Sequence, residues 1–445
     1  MRSCLKSMAL ALLSRALMRL IIIYISLFLS LTAFAQHSVL ILDDDVMAMQ
    51  ARIDLILKAK KSIRAQYFIF GDDAASLTGL TLIRDKARQH VKVKLLIDAF
   101  FNAIPYPVMA HLIHEGVEIK VYHPFRFTKL NWLWTRMHDK GMSIDGKEMI
   151  RGGRNVENSY FGHSNTRNFI DRDVYVMGPS VKDSDIYFDE LFNSKEVGPI
   201  NVQWVHPAAY EEGERILDEA LKAAQVDVPQ LRFKKPEDWS QKAVEVKGSI
   251  RFLHDPVGQK SEGNGIAQRL RDILNSAKNF VLIESPYLVP TKEFLRHARA
   301  AIARGVIIVI HTNSAESTDG LLPQAGYIRE KQKLLDLGIH IFEYKGPDCL
   351  HAKSAVIDGQ TAIISSYNLD PRSQFLNTEI GIVIQDQTVA GELTESIFKN
   401  IENSYEIGPN GLPLMGEDPL SRLSVGKRAL IKIIKLLYPF LKKQL

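Results

Sequence analysis

The stretch His138-Asp139-Lys140-Gly141-Met142-Ser143-Ile144-Asp145, followed by Gly152-Gly153-Arg154-Asn155, returns position for position as His351-Ala352-Lys353-Ser354-Ala355-Val356-Ile357-Asp358 and Ser365-Ser366-Tyr367-Asn368. Each copy spells His-x-Lys-x4-Asp-x6-small-small-x-Asn. A single His-x-Lys-x4-Asp arises by chance in roughly a few per cent of chains this long. Two copies with the same tail do not, so the chain holds two versions of one unit.

Outward from the motifs the halves keep matching. The first runs Ser62-Ile-Arg-Ala-Gln-Tyr-Phe-Ile-Phe70, a helical stretch, Val91-Lys-Val-Lys-Leu-Leu-Ile97 and Gly116-Val-Glu-Ile-Lys-Val-Tyr122. The second runs Phe280-Val-Leu-Ile-Glu-Ser285, a helical stretch to Gly305, Val306-Ile-Ile-Val-Ile310 and Gly338-Ile-His-Ile-Phe-Glu-Tyr344. Short β-branched runs alternating with amphipathic helical patterns predict α/β layering in each half.

In an extended strand, residues two apart share a face, so His138 lies beside Lys140 and His351 beside Lys353. If the halves meet across a pseudo-twofold interface, the pairs make one site with two imidazoles and two ammoniums. Such a site suits a phosphodiester: the lysines neutralise the non-bridging oxygens, and Asn155 and Asn368 can donate to the charge that grows in the transition state. One histidine can attack phosphorus while the other protonates the leaving alcohol. This chemistry requires no metal or cofactor, and none of the other histidines among the thirteen has metal-ligand spacing.

Composition narrows the class further. With 445 residues, 46% hydrophobic and 24% charged, the chain is neither disordered nor collagen-like and can hold two sizeable cores. The net charge of +5 resides in the ends. Setting aside Arg2, Lys6, Arg15 and Arg19 leaves 52 basic against 51 acidic residues, and setting aside the six basic residues of the tail leaves 46 against 51. The body therefore lacks the basic balance of a nucleic-acid-binding protein. Of the two cysteines, Cys4 lies in the leader, leaving Cys349 as the thiol of the body.

These motifs resemble the phospholipase D superfamily, and the text around them resembles its bacterial cardiolipin synthases. The resemblance is carried by Ile283-Glu-Ser-Pro-Tyr-Leu-Val-Pro290, Thr312-Asn-Ser314 with Asp319, Ala325-Gly-Tyr327, Asn368-Leu-Asp-Pro-Arg-Ser373 and Asn377-Thr-Glu379. In the first half it is carried by Gly152-Gly-Arg-Asn155, Tyr160-Phe-Gly162, Asp173 and Gly178-Pro179. It implies an α/β fold of two pseudo-symmetric lobes, each a mixed sheet flanked by helices, sharing one active site at the lobe interface.

The resemblance also implies a catalytic set of His138, Lys140, Asp145, His351, Lys353 and Asp358, with Asn155, Asn368 and Ser366 on the substrate. His138 is then the expected nucleophile and His351 the general acid and base, although the sequence itself leaves the order open. Asp145 and Asp358 are expected to be structural, holding strand and turn. Asp173 and Glu379 are expected to orient the imidazoles through the second ring nitrogen. The implied reaction transfers a phosphatidyl group to phosphatidylglycerol, making cardiolipin, with phosphatidylethanolamine as another possible lipid. Competing classes are a hydrolase releasing phosphatidic acid, a nuclease and an inactive membrane scaffold; two complete motifs disfavour the scaffold.

The expected organisation is a signal peptide or membrane anchor over 1–35, a first lobe over 36–224, a linker over 225–249, a second lobe over 250–424 and a basic amphipathic tail over 425–445. Leu20 to Phe34 is apolar and ends in Ala33-Phe34-Ala35, an export pattern pointing to the periplasm or the outer face of the cytoplasmic membrane. The tail places Leu430, Ile433, Ile434, Leu437 and Leu441 on one helical face against a mostly basic other face, as in helices that bind anionic membranes. The aromatic and basic run Phe125 to Trp134 suits a lipid interface or a buried connection equally.

Overall fold

The β-branched runs form strands whose continuous apolar character reflects burial on both faces. The computed structural model describes residues 37–125, 134–200, 206–228, 230–258 and 265–441. The leader, residues 126–133 of the aromatic run and the last four residues of the tail lie outside the described residues. Among the described residues, no helix is long and apolar enough to cross a membrane.

The first lobe contains β1 (His37–Leu42), β2 (Ser62–Tyr67), β3 (Lys92–Asp98), β4 (Glu118–Tyr122), β5 (Gly141–Ile144), β6 (Glu148–Gly152), β7 (Phe169–Ile170), β8 (Asp173–Met177), β9 (Val197–Pro199) and β10 (Val244–Val246). The second contains β11 (Ile250–His254), β12 (Phe280–Glu284), β13 (Ile307–Asn313), β14 (His340–Tyr344), β15 (Cys349–Leu350), β16 (Ser354–Ile357), β17 (Thr361–Ser365), β18 (Ile380–Gln385) and β19 (Ser404–Glu406). The first sheet is ordered β10-β1-β8-β6-β5-β2-β3-β4-β9 and the second β11-β18-β17-β16-β12-β13-β14-β19. Apart from β10 the two orders are the same, and both sheets are mixed: β2, β3 and β4 are parallel, as are β12, β13 and β14, with the hairpins antiparallel.

Much of the stretch 225–249, expected as a linker, packs on the first sheet. It includes the end of the helix Pro207–Asp227, a buried Trp239 whose indole donates to Asp54 at 3.0 Å, and β10, which pairs with β1. A three-residue strand is too short to leave an apolar period, which is why it reads as a linker.

One apolar cluster spans both sheets, with Val39, Met149, Val174 and Val176 packed among Val356, Ile364, Ile382 and Ile384. The helices Ser180–Phe192 and Gln387–Ile401 contribute Phe188, Leu191, Leu393 and Ile397 to it. The lobes are thus joined by a continuous core rather than a hinge.

The motif aspartates sit at the strand ends remote from the histidines. Asp145 and Asp358 both have φ of 53°, the left-handed conformation that aspartate tolerates in a tight turn. Asp145 accepts from the backbone N–H groups of Lys60, Lys61 and Ser62 at 3.0, 2.7 and 2.9 Å. Asp358 accepts likewise from Lys278, Asn279 and Phe280 at 2.9, 2.7 and 2.9 Å. Each carboxylate therefore fixes where the central strand of its sheet begins, and the amides hold both below the usual aspartate range against the opposing effect of burial.

The tail forms the helix Val425–Leu441. Ile431 and Tyr438 are buried, Tyr438 beside Val289 and Leu322, and Arg329 donates to the Lys435 carbonyl at 2.9 Å. Leu430, Ile433 and Leu437 stay exposed. One side of this helix is therefore docked, and a separate apolar side faces outward.

Candidate active site

His138 and His351 are carried into the lobe interface by backbone bonds that cross it. The His138 N–H donates to the Thr378 carbonyl at 3.1 Å, and the His351 N–H to the Ile170 carbonyl at 2.7 Å. β15 pairs with β7 in parallel, so each motif is stitched to the opposite lobe.

The carboxylates cross over in the same way. His138 Nδ1 lies 3.0 Å from both carboxylate oxygens of Glu379, and His351 Nδ1 lies 2.5 Å from Asp171 Oδ2. A carboxylate at Nδ1 places the proton there and turns Nε2 outward as the reactive nitrogen. Ser366 donates its hydroxyl to Glu379. At the position matching Ser366, Gly153 has no room for a side chain, because a Cβ there would lie 2.0 Å from Asp171 Oδ1.

The expectation for Glu379 agrees with this geometry; that for Asp173 does not. Asp173 lies in β8 opposite Gly152 and is bound by Arg52 at 2.8 Å and Arg154 at 3.3 Å, away from the imidazole. The residue at His351 is Asp171, two positions earlier. Aligning the apolar run Val174-Tyr175-Val176 with Ile382-Val383-Ile384 puts Asp171 on Glu379, whereas counting from the asparagines misplaces the intervening insertion.

The lysines complete the centre. Lys140 Nζ donates to the His138 carbonyl at 2.7 Å; Lys353 Nζ donates to the His351 carbonyl and sits 2.7 Å from His351 Nδ1. Burial pushes His138 well below the usual histidine range, helped by the charges of Lys140, Lys353, His351 and Arg372. His351 is lowered by burial and Lys353, with Asp171 opposing. Burial also lowers both lysines, Lys140 strongly. Despite its own burial, Asp171 is held down at about 2 by Lys353 and His351. The site thus holds a neutral His138 and an ionised Asp171 beside His351, and a bound phosphodiester would favour the charged forms of both lysines.

The asparagines play unequal parts. Asn155 donates to the Tyr160 hydroxyl at 2.8 Å and accepts from the Ile69 N–H at 3.1 Å. Asn368 is buried, and its Oδ1 has no hydrogen-bond partner among the described residues. Ring edges bound the imidazoles, Phe68 at 5.0 Å from His138 and Tyr160 at 5.3 Å from His351 between centroids.

Several residues here were not anticipated. Asp139 accepts from the Tyr187 and Thr378 hydroxyls at 2.6 and 2.9 Å, tying the first motif to the second lobe. Arg172, next to Asp171, reaches Glu284 and Ser354 across the interface and so anchors the loop that carries Asp171. No side-chain pattern in one lobe signals bonds made to the other. Among the described residues no group of three or more histidine, cysteine or acidic side chains is arranged to hold a metal ion.

Comparison with known proteins agrees with this arrangement. The family described as cardiolipin synthase, PLD-like domain, matches residues 53–191 and 270–401. Cardiolipin synthase C of Escherichia coli (strain K12) is 30% identical over 416 residues, covering 82% of this chain and 84% of that protein. A cardiolipin synthase of Clostridium perfringens (strain 13 / Type A) is 25% identical over 361 residues, covering 79% and 67%. The crystal structure of phosphatidylserine synthase from Haemophilus influenzae Rd KW20 superposes with a TM-score of 0.70 at 17% identity, covering 93% of this chain and 98% of that one, which shows the two-lobed fold. With both halves matched and both motifs meeting at the lobe interface, the chain belongs to the phospholipase D superfamily as an enzyme of the cardiolipin synthase-like family.

Proposed function

We propose that this enzyme makes cardiolipin, transferring a phosphatidyl group from one phospholipid to the free hydroxyl of phosphatidylglycerol through a phosphohistidine. The observation that carries the reading is the crossed pair, in which each imidazole is held through Nδ1 by a carboxylate of the other lobe. In the first step His138 Nε2 attacks phosphorus. The P–O bond to the headgroup alcohol breaks, and His351, entering as the imidazolium that Asp171 favours, gives that oxygen its Nε2 proton. In the second, the acceptor hydroxyl loses its proton to His351 as its oxygen attacks phosphorus, and the P–N bond to His138 breaks.

His138 takes the nucleophilic role because burial, with the charges of its neighbours, keeps it neutral, and ionised Asp171 stabilises the imidazolium that His351 must form. Lys140 and Lys353 take the non-bridging oxygens, and the unpartnered Asn368 Oδ1 can accept a hydrogen bond from a substrate hydroxyl. The substrates lie in membranes. The exposed Leu430, Ile433 and Leu437 with the neighbouring basic residues give the protein a surface for anionic bilayers, consistent with an exported enzyme at the outer face of the cytoplasmic membrane.

Mass spectrometry of the products from phosphatidylglycerol in mixed micelles tests the reaction. Cardiolipin with free glycerol is expected. Phosphatidic acid predominating at high acceptor density would replace transfer by hydrolysis.

A further inference from the structure

Behind Lys353, on the face of the second sheet covered by the helices Ile266–Ser276 and Lys292–Ala303, lies a cavity of about 100 Å³. Leu270, Leu274, Phe294, Ile363 and Leu369 make its walls apolar, while Lys353 and Ser285 line one part of it. Lys353, Ala355 and Ile357 alternate along one face of the motif strand, so the cavity continues from the catalytic ammonium along that face.

The first lobe shows what normally fills this space. Its counterpart is a cavity of about 50 Å³ that does not reach Lys140. There, Arg52 extends from the helix Asp45–Lys58 to Asp173 at 2.8 Å and Tyr67 at 3.4 Å, with Met49 and Met142 beside it. Aligning the two sheets and the caps Ala59 and Ala277 puts Leu270 at the position of Arg52, Ser285 at Tyr67, Gly381 at Asp173, Ala355 at Met142 and Ala267 at Met49. Every member of the plug is exchanged for a smaller or uncharged residue. The consequence is visible in the cross-strand pairs: Ala65 and Met142 are 2% and 3% exposed, whereas Ile283 and Ala355, paired within an eight-stranded sheet, are only part-buried.

Protein interiors close-pack such space, and an apolar void forfeits contacts on every wall. We propose that the second-lobe cavity takes a few methylenes of an acyl chain of the phospholipid whose phosphate is held at Lys353. This rests on the functional reading above. Polar side chains such as Arg271, Asp370 and Gln374 edge the cavity, but the surface it exposes is mostly apolar, which favours an alkyl chain over a polar ligand. The polar groups at Lys353 and Ser285 are where the chain gives way to the glycerol ester.

Refilling the cavity with the first lobe's own residues tests this on the full chain. Ala267→Met and Ala355→Met lie on different elements, and the variant whose Tm is not lowered is the one read. The expected result is a fall in kcat/KM for dioleoyl phosphatidylglycerol of about tenfold or more, the loss of a few buried methylenes. Bis(p-nitrophenyl) phosphate, which has no alkyl chain, should be turned over as by the wild type. Unchanged long-chain activity, or a parallel loss on both substrates, overturns the acyl-chain assignment alone. A wild type that cleaves the chain-free diester and no phospholipid overturns the functional reading and this proposal with it.

Discussion

Asp171 and His351 belong to different lobes, yet their side chains meet at 2.5 Å, and the mirror contact of Glu379 with His138 closes the ring at 3.0 Å. Neither lobe alone has a positioned imidazole. Removing a ring should abolish turnover: His138→Ala and His351→Ala are each expected to retain less than about a tenth of wild-type activity, since nucleophilic and acid–base roles are worth far more than tenfold. Lys140→Ala and Lys353→Ala should each cost on the order of 2.7–4 kcal/mol of transition-state stabilisation. Circular dichroism and single-turnover rates separate these losses from unfolding.

Asp171→Asn and Asp173→Asn separate orientation from architecture. Asp171→Asn removes the charge that favours the His351 imidazolium, so kcat should fall by roughly 10²–10⁴-fold. The alkaline limb of the profile should also move to lower pH. Asp173→Asn leaves Arg52 and Arg154 buried beside a neutral amide. It should act mainly through stability, approaching the roughly 3–5 kcal/mol of a broken buried pair. A larger kinetic defect in Asp173→Asn than in Asp171→Asn would reverse the assignment.

The pH profile carries a sign. Burial and the charges of Lys140 and Lys353 lower His138, so the acid limb of kcat/KM for the free enzyme should lie below about 6.5, the ordinary histidine value. Lys140→Met removes one of those charges, so it should raise the His138 pKa and move that limb to higher pH, besides lowering the rate. An unmoved limb would mean that the group titrating there is not His138.

The motif pair was legible because it is local: two strands of fixed period, each with its histidine and lysine on one face, need nothing from the rest of the chain. The structural part of the turn aspartates followed from the family resemblance alone; their partners, the amides that open the adjoining strand, were not read from the sequence. What the sequence hid is tertiary. Asp171 stands where Asp173 was expected, both carboxylates cross to the opposite lobe's histidine, Arg172 reaches Glu284 across the interface, and β10 is too short to show a period. The docked side of the terminal helix was hidden as well, because Tyr438 packs on Val289, a contact far away in sequence.

Asp145→Ala and Asp358→Ala should separate stability from chemistry. Each leaves a cluster of backbone N–H groups without its acceptor, at about 1–3 kcal/mol for each group that water does not reach. Tm should fall in both, while kcat per folded molecule stays near wild type. A loss of kcat at unchanged Tm would place these carboxylates in the reaction.

The terminal helix has two apolar sides, and substitutions can address them separately. Ile431 and Tyr438 are 3% exposed and docked against the second lobe, whereas Leu430, Ile433 and Leu437 are 44%, 52% and 48% exposed. Each basic residue near an anionic bilayer adds about 1 kcal/mol, an attraction that fades within a Debye length. Replacing Leu430, Ile433 and Leu437 together by serine should therefore leave Tm unchanged and weaken co-sedimentation with phosphatidylglycerol vesicles, with binding that also falls as salt rises. Ile431→Ala with Tyr438→Ala should lower Tm instead, because docked contacts are lost. Turnover on bilayers should drop in the triple-serine variant much more than turnover on dispersed short-chain lipid. Equal losses on the two substrates, or vesicle binding indifferent to salt and anionic lipid, would make the outward side of this helix part of the fold and not a membrane contact.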